Sequence, residues 1–444
     1  MQRFSWGLSL GAVCLFAACG GKVDSLTDDD AGGAKDAAVD HAAVKIDAGL
    51  DTGTVYQPLG KKCDPPTGAA PPLWTPSGTA PALHPPIMQS SGGPTLTNPQ
   101  LVAMTFDGDD LRDQIEDFID SVGCTTYWRS FLPEYGINDA YALPPVHLSD
   151  TPPATIDDTQ IALYIRQKIL TKAVPDDVPG STLYVIYYPD STDITLQGEH
   201  SCSSFGGYHN EVALSDGRHV AYAVIPRCGG FGGLGEFDEL SGTTSHELAE
   251  AVTDPNPMSN PAYQFPEGNG LAWALGGGGE IGDLCESNDD AFFEPSDYPF
   301  YVQRQWSSEA AYGGHDPCQP SGSTYFAAAP VMPDTIPFDI GLGAESTIGV
   351  KLAVNGTTTI NLNLISDASW TAPITVTVHD ASHFTGGNTS LNFTLQTTQG
   401  HVGDSIPLQI TRIGTNSQLG LEPFVVRAQS QGITRSWWGV VGDP

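Results

Sequence analysis

The chain has 444 residues and a formal net charge of −34, from 52 acidic and 18 basic side chains. Such an acidic chain is a poor partner for nucleic acid, because the phosphate backbone attracts basic surfaces. A length of this order predicts about two or three domains. Beyond residue 19, no part of the sequence has the run of about 20 apolar residues that a membrane-spanning helix needs.

The first 19 residues have the pattern of a secretion signal. Arg3 gives a positive charge near the start, and the apolar run at 8–18 is too short to span a bilayer. The run ends in Leu15-Phe16-Ala17-Ala18-Cys19, which resembles a bacterial lipobox with Phe in place of the usual Leu. We therefore expect Cys19 to carry lipid on a cell-envelope lipoprotein, at the outer membrane or cell surface. An ordinary signal peptide cut after Ala18 is the alternative.

The next segment has the composition of a tether. Residues 20–54 are rich in Asp, Ala and Gly, and residues 64–97 are rich in Pro, Gly and Ser. Such segments bury too little apolar surface to offset the chain entropy lost on folding. We interpret 20–92 as a disordered Asp/Ala/Gly stretch followed by a Pro-rich stretch, which ties the folded part to a membrane through the N-terminal lipid.

The cysteines indicate an oxidising compartment. Eight are present, and six of them lie beyond Cys19. An even number in an exported chain predicts three disulfides, although the sequence alone leaves the pairing open. We expect neighbours along the chain to pair: Cys63 with Cys124, Cys202 with Cys228, and Cys285 with Cys318.

Residues 93–325 have the pattern of an α+β domain. Apolar runs predict strands at 101–106, 183–188, 212–214 and 219–225, the last two forming a hairpin around Asp216-Gly217. Apolar residues at helical spacing predict helices at 110–122, after Thr155, and from Phe237 to Thr253. Thr155 and Asp158 supply a capping signal for the second helix, and Pro255 stops the third.

From about residue 335 the pattern changes to alternation of apolar and polar residues, as at 360–364, 374–378 and 391–395. This period of two is typical of strands with one buried face. Asn355-Gly356 is a hairpin turn signal. About seven or eight such segments predict an all-β, immunoglobulin-like sandwich over 335–444. Of the adjacent Trp437 and Trp438 we expect one in its core.

The residues that point to chemistry are His246-Glu247-Leu248-Ala249-Glu250, within the predicted helix. His246 and Glu250 are four residues apart, a spacing that puts both side chains on one helix face to hold a metal ion. Glu247 is placed to act as the general base on a metal-activated water. The familiar zinc-protease motif is HExxH. Here a carboxylate replaces the second imidazole, which zinc accepts as a ligand.

A third ligand must come from elsewhere in the chain. Asp254 lies about 12 Å from His246 along a continuous helix, too far to share one ion. Glu280 and Asp283 resemble gluzincin-type proteases, in which a downstream Glu completes the site and a following Asp orients the first His. We expect Glu280 as ligand and Asp283 beside it, with the two roles open to exchange. His209, in a glycine-rich loop, is more often a structural histidine.

Three stretches together resemble the phosphate-induced protein 1 / EXORDIUM family: 245–250, 253–255 and 280–286. The resemblance covers about residues 90–320, with support from 92–98 and 202–209. Its plant members are extracellular proteins linked to cell growth and the cell wall, which implies an extracellular role here. The predicted lipid anchor, tether and C-terminal sandwich depart from the plant members.

The sequence therefore predicts an α+β zincin-like domain, a mixed sheet with packed helices and HExxE on a central helix, followed by the sandwich. We expect a surface-anchored monomeric zinc metallopeptidase that acts on a protein or cell-wall substrate. Its metal residues would be His246, Glu250, Glu280 and Asp283, with Glu247 catalytic. The alternative is a non-catalytic cell-wall-associated protein with a structural metal site. A third interpretation is calcium bound by Asp254, Glu280 and Asp283.

Overall fold

The computed structural model describes residues 56–444 except 176, 177, 179, 230–233, 277, 340–343, 386, 387 and 416–419. The predicted secretion signal, Cys19 and residues 20–54 of the predicted tether lie outside the described residues. Within the described ranges, no helix is both long and apolar enough to cross a membrane.

The first part of the chain is mixed α+β. Its strands are β1 (Met88–Gln89), β2 (Gln100–Phe106), β3 (Tyr141–Ala142), β4 (Val146–Leu148), β5 (Thr155–Asp157), β6 (Thr182–Tyr188), β7 (Asp193–Leu196), β8 (Glu199–His200), β9 (Tyr208–Ala213), β10 (His219–Pro226), β11 (Phe265–Pro266), β12 (Phe292–Phe293), β13 (Val302–Gln303), β14 (Gln305–Trp306) and β15 (Cys318–Gln319). Its α-helices are α1 (Arg112–Ser121), α2 (Thr126–Arg129), α3 (Asp158–Leu170), α4 (Glu236–Thr253), α5 (Leu271–Ala274), α6 (Asp283–Glu286) and α7 (Ser308–Gly313).

The main sheet has the order β3-β2-β6-β10-β9, with β4 also paired to β2. β2, β6 and β10 run parallel, and β9 pairs antiparallel with β10 at one edge. The long apolar runs of β2 and β6 are buried along nearly their whole length, as is typical of parallel strands covered on both faces. The predicted strands and the hairpin around Asp216-Gly217 are confirmed.

Helices cover both faces of this sheet. Successive residues of a strand point to opposite faces, so Leu101 and Ala103 of β2 share a core with α1 and α4. Val102 and Met104 share a second core with Ile161, Ile165 and Ile169 of α3. The sheet is therefore the middle layer of the α+β part, and α4 lies on one side of it.

The cap of α3 differs from the prediction. Asp157 Oδ1 accepts from Gln160 N at 2.9 Å, and Gln160 Oε1 accepts from Asp157 N at 3.0 Å. Thr155 lies in β5 instead, while Asp158 accepts from the Tyr222 hydroxyl at 2.6 Å. The predicted capping pair, Thr155 and Asp158, was therefore wrong by two residues. Asp157 and Gln160 have the same spacing and cap the helix instead.

The second part of the chain consists of two sheets. Its strands are β16 (Phe326–Pro330), β17 (Asp334–Asp339), β18 (Ala344–Lys351), β19 (Thr357–Ser366), β20 (Ile374–Asp380), β21 (Leu391–Leu395), β22 (Gln399–Gly400), β23 (Ser405–Arg412), β24 (Leu421–Ser430) and β25 (Ile433–Gly442). The sheet orders are β16-β19-β23-β21 and β17-β18-β25-β24-β20-β22. Apolar side chains from both sheets form one core, so this part is a β sandwich.

Two details of the sandwich depart from the sequence patterns. Its strand β16 pairs with β19, so it begins before residue 335. The Asn355-Gly356 turn joins β18 to β19, which belong to different sheets and do not pair with each other. The expected hairpin there was wrong, because the turn carries the chain between sheets.

All three expected disulfides are present: Cys63–Cys124, Cys202–Cys228 and Cys285–Cys318. The first of them binds the Pro-rich segment to the α+β part. Farther along that segment, Trp74 N donates to Glu134 O at 2.8 Å, and β1 pairs with β11. The described part of the predicted tether is therefore packed against the folded body at several points.

The sandwich packs directly on the α+β part. Trp437 and Trp438 of β25 are each only 5% exposed, whereas we expected just one of the two to be buried. The Trp437 ring lies edge-on to Trp273 of α5, with ring centroids 5.7 Å apart. Nearby, Arg435 Nη2 donates to Asp316 Oδ2 at 2.8 Å, and both side chains are 3% exposed. This buried ion pair links β25 to the segment before β15.

Replacing Arg435 by Leu should lower the free energy of unfolding by about 3–5 kcal/mol, because Asp316 keeps a buried charge without its partner. The double variant Arg435→Leu, Asp316→Asn removes that charge and should lose clearly less stability. Urea unfolding followed by tryptophan fluorescence measures both. Equal losses in the two variants would show that the uncompensated charge is not the cause.

Candidate metal centre

Helix α4 places His246, Glu247 and Glu250 in the interior. Its first turn carries Glu236, Asp238 and Glu239, which suits the positive end of the helix dipole. Every residue from 244 to 253 is buried. The helix ends at Thr253, and Pro255 prevents another turn. The carboxylates of Glu247 and Glu250 thus lie in a helix segment with no solvent-facing side.

His246 is oriented by a glutamine from β13. The Gln303 amide nitrogen donates to Gly282 O at 2.7 Å, so its oxygen faces His246 Nδ1, 2.9 Å away. Gln303 N also donates to Ser245 Oγ at 2.8 Å. His246 Nδ1–H then donates to the amide oxygen, which leaves Nε2 to face Glu250 and Asp283.

Glu250 is held by the loop that carries the downstream acids. Its Oε1 accepts from Gly282 N at 3.1 Å and Asp283 N at 3.3 Å. A Cβ at Gly282 would lie 2.7 Å from the His246 ring and 2.8 Å from Glu250 Oε1, so only glycine allows this approach. The Cys285–Cys318 disulfide links the same segment covalently to β15.

His209 enters the cluster from β9. Its Nδ1 lies 3.7 Å from Glu247 Oε2 and 3.7 Å from Glu250 Oε2, and its Nε2 lies 3.6 Å from Glu280 Oε1. The side chain is 4% exposed. The sequence argument favoured a structural role for this histidine and left it outside the predicted set. The local signal was Gly207, where a Cβ would lie 2.8 Å from Glu247 Oε1.

The candidate residues form two groups whose ligand atoms lie within 4.8 Å of one another: His246, Glu250 and Asp283, and His209, Glu247 and Glu250. His246 Nε2 is 3.0 Å from Glu250 Oε1 and 3.7 Å from Asp283 Oδ1. Tetrahedral zinc places its ligand atoms about 3.3–3.6 Å apart. The two distances of the first group lie just below and just above that range, so these side chains could hold a metal ion.

Glu280 and Asp254 occupy other positions. Glu280 faces His209, while Asp283 faces His246. Asp254 Oδ1 accepts from Ala262 N at 2.7 Å, and its charge contributes to raising the pKa of Glu280. Neither Asp254 nor Glu280 belongs to the two groups of converging ligand atoms.

The cluster concentrates buried negative charge. Burial raises the pKa of Glu247, and burial with the nearby Glu250 raises the pKa of Glu280 and of Asp283 well above the usual values. Burial alone would lower the pKa of His246, but Glu250 raises it well above its ordinary value.

Several buried polar atoms of the cluster also form no hydrogen bond with the described residues. His209 Nε2, both carboxylate oxygens of Glu247, and Glu280 Oε1 have no hydrogen-bond partner among the described residues. Buried polar atoms are normally paired, since an unpaired one loses its water without compensation. These atoms and the excess of carboxylates fit a cation site.

Comparison with known proteins does not assign the chain to a family. No family model matches the chain, and no curated protein matches it. A FixG-related protein from Vibrio parahaemolyticus is 11% identical over 20% of this chain and 80% of that one, with a TM-score of 0.16. Domains 4 and 5 of the S-layer protein SbsC are 12% identical over 26% of this chain and 54% of that one, also at 0.16. Similarities this weak carry no argument about fold or function.

A zinc ion held by His246 should be bound more weakly without the amide that orients this histidine. Gln303→Leu should lower the affinity by about 10- to 100-fold, the usual effect of losing a hydrogen bond to a metal-ligating histidine. Titration of the full chain with zinc against a competing chelator measures it. Gln319→Leu removes an amide that donates to Asp316 O instead and serves as the control. Equal affinities in the two variants would contradict the role of Gln303.

Proposed function

We propose that this protein is a metal-dependent hydrolase, a zinc metallopeptidase with a zincin-like α+β domain. The observation that carries the proposal is the convergence of His246 Nε2, Glu250 Oε1 and Asp283 Oδ1 in a buried cluster beside Glu247. A histidine and two carboxylates form a suitable zinc ligand set, and three protein ligands leave a position for substrate or water. Support for the architecture is a mixed sheet with α4 packed on one face.

The cation would supply Lewis acidity, which makes an attacking water more acidic and polarises the scissile carbonyl. Glu247 is the group that takes the proton of that water. Its carboxylate oxygens have no hydrogen-bond partners in the described part of the chain, and burial raises its pKa. A carboxylate with raised proton affinity is a better general base, and it can return the proton to the leaving amine.

A peptide in extended conformation is the substrate shape that the site favours. β9, which carries His209, is the edge strand of the main sheet and pairs with β10 on one side. Glu211 N on this strand donates to Asn210 Oδ1 at 2.8 Å and not to another strand. Edge strands bind extended peptides through main-chain hydrogen bonds. A protein or cell-wall peptide bound along β9 would pass beside His209.

The proposed setting is the cell envelope. Three disulfides are typical of extracellular or periplasmic proteins. With Cys19 lipidated, the chain would be an outer-membrane or cell-surface lipoprotein, and the sandwich, which we propose is immunoglobulin-like, would be exposed with the enzyme. The resemblance to the EXORDIUM family supports the same location.

A second candidate function is a non-catalytic, cell-wall-associated protein whose cation only stabilises the fold. Its supporting observation is burial, since His246 is 3% exposed and Glu247 and Glu250 are 0% exposed. A structural zinc site is closed by four protein ligands, while a catalytic site keeps one position for water. Metal analysis, which identifies the bound element, would distinguish calcium bound by the carboxylates from zinc.

The full chain should contain zinc and hydrolyse a protein substrate such as casein. His246→Ala should lose the ion of its own group and activity together, because Nε2 is the only imidazole ligand of that group. Glu247→Gln should retain at least one zinc and lose activity by about 10²- to 10⁴-fold, the typical contribution of a general base. Metal analysis by mass spectrometry and a fluorescent casein assay measure both quantities.

Glu236→Gln, the same substitution in the exposed first turn of α4, is the matched control and should retain metal and activity. Wild-type activity in Glu247→Gln would rule out Glu247 as the base. A wild-type chain that binds zinc but cleaves nothing would favour the structural site. A chain that takes up no metal after zinc is added would leave a metal-free envelope protein as the better account.

A further inference from the structure

Glu250 stands between two histidines. Its Oε1 lies 3.0 Å from His246 Nε2, and its Oε2 lies 3.7 Å from His209 Nδ1. The two oxygens of one carboxylate thus belong to two different groups of ligand atoms. A carboxylate in this position is suited to bridge two cations about 3.5–4 Å apart.

We infer that the cluster binds two divalent cations, the second held by His209 Nδ1, Glu247 Oε2 and Glu250, with Glu250 bridging both positions and Glu247 Oε1 left to take the proton of the attacking water. This inference rests on the proposed function for the first position, at His246, Glu250 and Asp283. The second position joins β9 to α4. Its ligand atoms include His209 Nδ1 and Glu247 Oε2, 3.7 Å apart.

The side chains of the second group are buried and oriented towards one another, as a cation site requires. The Glu247 side chain is 0% exposed, and neither of its oxygens has a hydrogen-bond partner among the described residues, although Oε2 lies 3.7 Å from His209 Nδ1. Distances of 3.7 Å from His209 Nδ1 to Glu247 and Glu250 are close to the about 3.3–3.6 Å expected between ligands of one zinc ion. A small contraction around a cation would satisfy all three side chains.

The two histidines present different ring nitrogens to the two positions. Gln303 Oε1 lies 2.9 Å from His246 Nδ1 and leaves Nε2 for the first position. Metal-bound histidines characteristically use their other ring nitrogen for such a hydrogen bond. His209 has Nδ1 on the side of Glu247 and Glu250, while its Nε2 lies 3.6 Å from Glu280 Oε1, beyond hydrogen-bond distance.

Carboxylates outnumber imidazoles in the cluster. Glu247, Glu250, Asp254 and Asp283 are all buried, and they share the cluster with two histidines, His209 and His246. Buried carboxylates are normally paired or bound to metal. Their ligand atoms form two groups and not one, which provides a position for each of two cations.

The decisive measurement is the number and position of zinc ions in the full chain. After dialysis against zinc, mass spectrometry should find about two ions per chain, and anomalous diffraction at the zinc edge should show them about 3.5–4 Å apart. His209→Ala and Glu247→Gln should each retain about one ion, at the His246 position. His209→Gln, closer in size, gives the same test if the alanine variant does not fold.

His200→Ala is the matched control, because His200 is an exposed histidine that pairs with Asp193 and belongs to neither group of ligand atoms. It should leave both ions in place. One ion in the saturated wild-type chain, or an unchanged count in His209→Ala and Glu247→Gln, would overturn the second position. The number of zinc ions tests this inference, and casein hydrolysis tests the proposed function, so the two can be contradicted independently. Two ions without hydrolysis would contradict the proposed function alone, and hydrolysis with one ion would contradict this inference alone.

Discussion

The burial of Glu247 and Glu250 in the middle of α4 is the constraint on which the rest of the site depends. A carboxylate removed from water is unstable unless hydrogen bonds or opposite charges replace its hydration. Both side chains are 0% exposed. The loop at 280–286 supplies two backbone N–H groups to Glu250. His246 faces the same carboxylate, while His209 faces both glutamates. The surrounding elements are thus arranged around charge that the helix itself cannot stabilise.

Glycines allow those elements to come close enough. Gly207 and Gly282 each have a neighbour from α4 within 3 Å of the place where a Cβ would be. The run of glycines before Glu280, which looks like a flexible linker in sequence, is also closely packed at its described ends. A Cβ at Gly276 would lie 2.5 Å from the Trp438 ring, and one at Gly279 would lie 2.4 Å from Phe265. The sandwich therefore supports the segment that leads to Glu280 and Asp283.

Local patterns predicted the parts of the structure that local physics decides. Apolar runs gave β2, β6 and β10, and the four-residue spacing placed His246 and Glu250 on one helix face. His209 was missed because its position depends on register: it pairs with Ala223, which sets β9 against α4. No pattern along the chain encodes that register. The exposed face expected for Trp437 or Trp438 was likewise covered by contacts between distant segments.

Asp254 shows how the end of a helix changes a distance argument. Along a continuous helix it is too far from His246 to share an ion, and it joins neither group of ligand atoms. The backbone leaves the helix at Asp254, with φ −137° and ψ 69°, so its carboxyl acts on Glu280, which in turn faces His209. The cluster is therefore a connected series of ionisable groups, in which the carboxyl groups raise one another's pKa and the nearby Glu250 favours the protonated form of His246. Groups linked in this way respond together, so the effects of removing two of them are not additive.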